Sequence, residues 1–129
     1  SGHAERVSIE HLDPAGAFTQ VVTVRGDGAK TIYVSGQVGQ PGDSLEAQAG
    51  QAFAGMKERL ALAGATPADL VKVIYYIPGY TPGTTGIGPA REANDWPTDD
   101  PPAATLLGIH SLFSSTARFE YEGIAVVDP

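Results

Sequence analysis

From Arg6 to Leu12 polar and apolar residues roughly alternate, with Val7 and Ile9 as the apolar positions, the pattern of an edge or half-buried strand. A second strand is predicted from about Gln20 to Arg25 and a third from Lys30 to Ser35. Gly26-Asp27-Gly28 between them supplies the tight turn of a hairpin. A loop follows over Gly39 to Gly42. Beyond it Leu45, Ala49, Ala52, Phe53, Met56, Leu60 and Ala63 fall on one helical face, with Gln48, Gln51, Lys57, Glu58 and Arg59 largely off it. Asp43 or Ser44 is placed to cap this helix, Glu46 to close a box back to Asp43, and Gly64 to stop it.

Thr66-Pro67-Ala68-Asp69 reads as a cap with proline in a first turn. It leads into Leu70 to Ile77, apolar on both faces and therefore a central strand. Pro78 to Gly88, rich in Pro, Gly and Thr, is predicted as loop. A short second helix is predicted over Pro89 to Trp96, ending before Pro97, although Asn94 and Asp95 are poor interior residues. A strand from about Ala104 to His110, a turn at Ser114 to Thr116 and a last strand from Phe119 to Val127 complete the chain. The order is an α+β one in which a long helix covers one face of a mixed sheet. Apolar residues on the other face need a cover too, and a partner subunit is the economical one.

A length of 129 residues, 13.4 kDa and 42% hydrophobic residues fit one domain over residues 1–129 with one core. No apolar run approaches the ~18–20 residues that span a bilayer. No basic stretch precedes an apolar one as in a secretory leader. Ser1-Gly2-His3 reads as a cloning remnant, so the natural start is not fixed by the sequence. The absence of cysteine excludes disulfides, thiolate catalysis and sulfur-ligated metals, and fits a cytoplasmic protein. A formal net charge of −7, with eight scattered Lys and Arg, opposes phosphate binding, so nucleic acid is not an expected partner. His3 and His11 make no metal-site pattern, and neither metal nor cofactor is expected.

Four stretches carry a family resemblance. Gly16-Ala17-Phe18-Thr19-Gln20 resembles a Gly-Pro-Tyr-x-Gln segment, and Val34-Ser35-Gly36-Gln37 an Ile-Ser-Gly-Gln strand end. Pro102-Ala103-Ala104-Thr105 resembles a Pro-Ala-Arg-Ser/Thr signature, and Phe119 to Ala125 a Glu-Ile-Glu-Ala-Ile-Ala strand. Together, in this order along nearly the whole chain, they resemble the Rid/YjgF family of reactive-intermediate deaminases. The resemblance implies a chorismate-mutase-like fold, a mixed sheet packed on two helices. It also implies a homotrimer with clefts between subunits. In deaminating members each cleft hydrolyses a 2-enamine or 2-imine acid without metal or cofactor, an arginine pairing with the substrate carboxylate.

Here the arginine position is Ala104 and the tyrosine position Phe18, while Gly36, Thr105 and Glu120 match. The chain is similar to an Arg-less subgroup. Charged hydrogen bonds contribute roughly 1.5–3 kcal/mol each, so loss of the guanidinium argues against simple 2-imino acids as substrates. The family's asparagine has no clear match, Ile87-Gly88-Pro89 standing in its place. Glu120 is the expected acid/base, with backbone at Gly36 and Thr105 orienting the reacting centre and Phe18 as an apolar wall. Glu120 and Glu122 share a strand face, where burial first and like charge second raise a carboxylate pKa, or else one or both are solvated or pair with Arg118 or Lys72. Arg91 is the first candidate to replace the missing arginine, and Trp96 and His110 stand near the expected cleft. Enamine or imine conversion is one reading. A non-catalytic trimer binding a small molecule or a protein is another, and an endoribonuclease a third that the charge disfavours.

Overall fold

The computed structural model describes residues 6–129, so His3 and the chain start lie outside the described residues. Six strands form one sheet: β1 (Ser8–Ala15), β2 (Phe18–Gly26), β3 (Ala29–Val38), β4 (Leu70–Pro78), β5 (Ala103–Ile109) and β6 (Glu120–Val127). Their spatial order is β1-β2-β3-β6-β4-β5, every pair antiparallel except β4 and β5, which run parallel. The last strand in sequence therefore sits in the middle of the sheet. Among the described residues no helix is long and apolar enough to cross a membrane.

The β2–β3 hairpin closes as its sequence predicts. Gly26 pairs with Ala29, and Asp27 and Gly28 take positive φ of 53° and 76°, the two-residue turn whose twist matches the strands. Helix α1 (Leu45–Leu62) lies on one face of the sheet. Its predicted face is the core: Ala49, Ala52, Phe53, Met56 and Leu60 are fully buried against Val21, Ile32, Tyr121 and Ala125 from the strands. Burial of each large apolar side chain contributes ~1.5–3 kcal/mol.

Three expectations need correction. Ser44 alone caps α1, its hydroxyl accepting from Ala47 N at 3.2 Å, while the Asp43 carboxylate accepts from Gln51 instead of completing a box with Glu46. Gln48, placed off the core face by its polarity, is fully buried. Its amide donates to the Asp43 and Thr116 carbonyls and its oxygen accepts from Arg118 N at 2.8 Å, tying the segment before β6 onto the helix. Helix α2 spans Ile87–Ala93 rather than Pro89 to Trp96, because Gly86 takes a left-handed φ of 109° and starts the helix two residues earlier. Pro89 still falls in the first turn, where its missing N–H leaves no bond unmade. The helix ends at Asn94, and Asp95 turns the chain with φ 52°.

The second face of the sheet carries Tyr33, Leu107 and Val126, each at least 40% exposed, with Val38 beside them. Apolar residues on a strand face that no helix among the described residues covers match the expectation of a two-sided sheet.

Candidate active site

Strand register places the predicted site residues in two groups on opposite faces. Glu120 pairs with Tyr76, which pairs with Leu107, so these three share the face away from α1. Ala104 pairs with Val73, which pairs with Gly123, and these share the face toward α1. Side chains alternate along each strand, so Glu120 and Ala104 cannot meet within one chain.

The first group is built around Glu120. Its carboxyl is half-buried against Gly36, where an added Cβ would stand 2.6 Å from both Cδ and Oε1 of Glu120. Glycine at 36 is what lets the carboxyl lie flat on the β3 bulge between Val34 and Gln37. Glu122 is the next residue on this face, and its carboxylate accepts the Tyr76 hydroxyl proton in a hydrogen bond. Burial first, and then the negative charge of Glu122, hold the Glu120 carboxyl above the usual carboxylate range. Donation to Glu122 chiefly, with burial and the two carboxylate charges, pushes the Tyr76 phenol up to about 12, so it remains a donor. Tyr76 thus engages Glu122 by a hydrogen bond, while the Glu120 carboxyl lies against Gly36. Neither glutamate pairs with Lys72 or Arg118 among the described residues. Phe18 opens β2, and its even-numbered position puts it on the same sheet face as Val22 and Tyr33, 52% exposed.

The second group lines a cleft of about 520 Å³ between the β5 edge and the Tyr80–Arg91 segment, with Tyr75, Arg91, Ala104, Thr105 and Leu106 on its walls. Arg91 is its one charged side chain. The guanidinium donates to the Tyr75 hydroxyl at 3.2 Å and lies 5.9 Å from the centre of that ring. Thr105 contributes backbone here, since its hydroxyl points to the opposite face and accepts from Lys72 Nζ at 2.8 Å. His110, expected on the Ala104 face of a longer strand, falls beyond the end of β5 and is exposed. Several cations are already engaged inside the fold, Lys30 with the Ala63 carbonyl, Lys57 with that of Asn94 and Arg59 with Asp13.

Tyr76 is the participant that sequence reasoning missed. The signal was present, because an apolar run interrupted by Tyr75-Tyr76 beside a Glu-x-Glu strand allows one hydroxyl to face the carboxylates.

Residues 8–127 match the family described as endoribonuclease L-PSP. The chain is 30% identical over 132 residues to a 2-iminobutanoate/2-iminopropanoate deaminase of Dermatophagoides farinae, a match covering 89% of each. RidA from the Antarctic bacterium Psychrobacter superposes with a TM-score of 0.72 at 22% identity, over 91% of this chain and 94% of that one. A Rid-family protein of unknown function from Yersinia pestis superposes with a TM-score of 0.68 at 25% identity, over 92% and 98%.

Proposed function

The chain belongs to the endoribonuclease L-PSP family, also called YjgF/Rid, and from that premise we propose that it converts an enamine or imine other than the usual 2-imino acids. The observation that carries the reading is Glu120, a carboxyl packed on Gly36 whose pKa burial and the Glu122 charge both raise. A neutral carboxylic acid beside a C=N bond gives its proton to nitrogen. The carboxylate so formed takes a proton from water as the water oxygen bonds to the carbon. The proton then returns to nitrogen, the C–N bond breaks as the new hydroxyl gives its proton back to the Glu120 carboxylate, and ammonia and a carbonyl compound leave. For an enamine, the same acid first protonates the β-carbon, which gives the iminium ion directly.

Phe18 in place of a tyrosine and Ala104 in place of an arginine make the surroundings of Glu120 less polar than in a carboxylate-binding cleft. The substrate in this reading lacks a carboxylate or anchors it elsewhere. Because Glu120 and Ala104 lie on opposite faces of one sheet, a cleft containing both takes them from two copies. Three copies then close around the uncovered sheet faces. Light scattering should give three times the 13.4 kDa chain mass; a mass of one chain would sink this arrangement.

Gly36→Ala tests the positioning directly. The new methyl displaces the end of a flexible side chain, so the fold should persist with a urea midpoint near wild type. Turnover of a semicarbazide-trapped imine should fall by up to about 100-fold, the scale of a ~1 Å misplacement of a reacting group. Unchanged turnover would separate Glu120 from the chemistry.

A further inference from the structure

Behind β5, on the α1 side of the sheet, a second cavity of about 370 Å³ lies between β4, β6 and the chain following α2. That volume falls in the range of small-molecule sites, ~300–1,000 Å³. Tyr75, Trp96 and Tyr121 supply aromatic walls, with Tyr75 and Tyr121 rings 4.9 Å apart and Trp96 and Tyr121 rings 5.8 Å apart. Pro97 adds a rigid rim, and the Ala104 methyl leaves open the space a longer side chain would fill. Arg91 is the one charged residue of this lining too, and it makes no ion pair among the described residues. In a chain of net charge −7, a half-buried guanidinium with only a phenol for company is an unfilled anion partner. Tyr121 is fully buried beneath this space, its hydroxyl set among the Tyr75 and Trp96 side chains, so the Arg91 guanidinium is the polar group the cavity offers.

We propose that this cavity binds a small aromatic carboxylate, its carboxylate on Arg91 and its ring among Tyr75, Trp96 and Tyr121. Aromatic walls select a planar ring over inorganic phosphate, and the single cation selects a monoanion. Arg91 borders this space as well as the cleft at the β5 edge, so an occupied cavity fixes the guanidinium where both can use it. Within one copy the cavity is separated from Glu120, which lies on the other sheet face.

Trp96 is the one tryptophan of the chain and lines this cavity, so its fluorescence reports binding here. Titration with benzoate should give saturable quenching, with the neutral isostere benzamide at least about tenfold weaker, the value of one charged hydrogen bond. Arg91→Gln should bring benzoate down to the benzamide level. Ala104→Leu, on an edge strand and facing the cavity, should abolish binding of both while keeping the wild-type circular dichroism spectrum. It therefore tests the site even if the arginine variant is poorly folded. Glu120→Gln should bind benzoate as wild type does, so loss of imine turnover and loss of this site are separately visible. Equal affinity for benzoate and benzamide, or benzoate binding untouched by both cavity variants, would overturn the assignment.

Discussion

Glu120→Gln is expected to lower imine turnover by roughly 10²–10⁴-fold, the contribution of a positioned general acid–base, with little change in KM. The amide keeps the volume and one acceptor oxygen but can neither give nor take the proton. Semicarbazide trapping of a neutral imine and of a carboxylated one measures both substrate classes. Turnover in the variant within about threefold of wild type would remove Glu120 from the mechanism. The pH dependence gives a second readout. Activity that needs the protonated acid declines as pH rises through the Glu120 pKa, and burial with the Glu122 charge places that limb above the ordinary ~4.5. Glu122→Gln removes the like charge, so the limb moves to lower pH.

The same shift sets a stability trend whose sign is opposite to that of most carboxylates. A group whose folded pKa is raised binds its proton more tightly when folded. Its contribution is fully present below the unfolded pKa and is lost as pH rises through the folded value. Above its raised pKa the ionised Glu120 beside Glu122 therefore works against the fold, and the stability of Glu120→Gln relative to wild type should rise with pH through that range. Loss of activity together with gain of stability marks a residue kept for chemistry.

How much of this was legible in the sequence depended on the range of the interactions involved. The Asp27-Gly28 hairpin and the face of α1 from Ala49 to Leu60 are written in local patterns, turn chemistry in one case and period in the other. Gln48 looked like surface because its partners are backbone groups of Thr116 and Arg118, some seventy positions away and invisible to a helical wheel. The early start of α2 rests on Gly86 adopting a left-handed φ, which glycine permits and does not require. Glu120 and Gly36 were found through motifs, but their contact arises from the bulge in β3, which no motif states. The separation of Glu120 from Ala104 was latent in the period-two rule. It needed the pairing of both β6 and β5 with β4, a register that the alternation within each strand cannot supply.

Phe53→Ala should have the largest effect on stability, ~3–5 kcal/mol, because it removes a fully buried ring that nothing nearby can replace. Phe53 lies 4.9 Å from Trp96, 5.0 Å from Tyr121 and 5.5 Å from Phe119, centre to centre, mostly in tilted or edge-on geometry. Its loss therefore forfeits transfer energy, opens a cavity and breaks several aromatic contacts worth ~0.5–1.5 kcal/mol beyond area. Urea unfolding at one fixed protein concentration is the appropriate measurement, since the proposed subunit association would make the midpoint concentration-dependent. Leu62→Ala on the same helix, where the side chain is 53% exposed, should cost no more than ~0.5 kcal/mol and serves as the control. The coupling runs further than stability. Trp96 rests on the Phe53 ring, so relaxation of that contact loosens one wall of the Arg91 cavity, and benzoate quenching should weaken even under conditions where the variant is fully folded. A Phe53→Ala cost below ~1 kcal/mol would mean that α1 does not pack on the sheet through this ring.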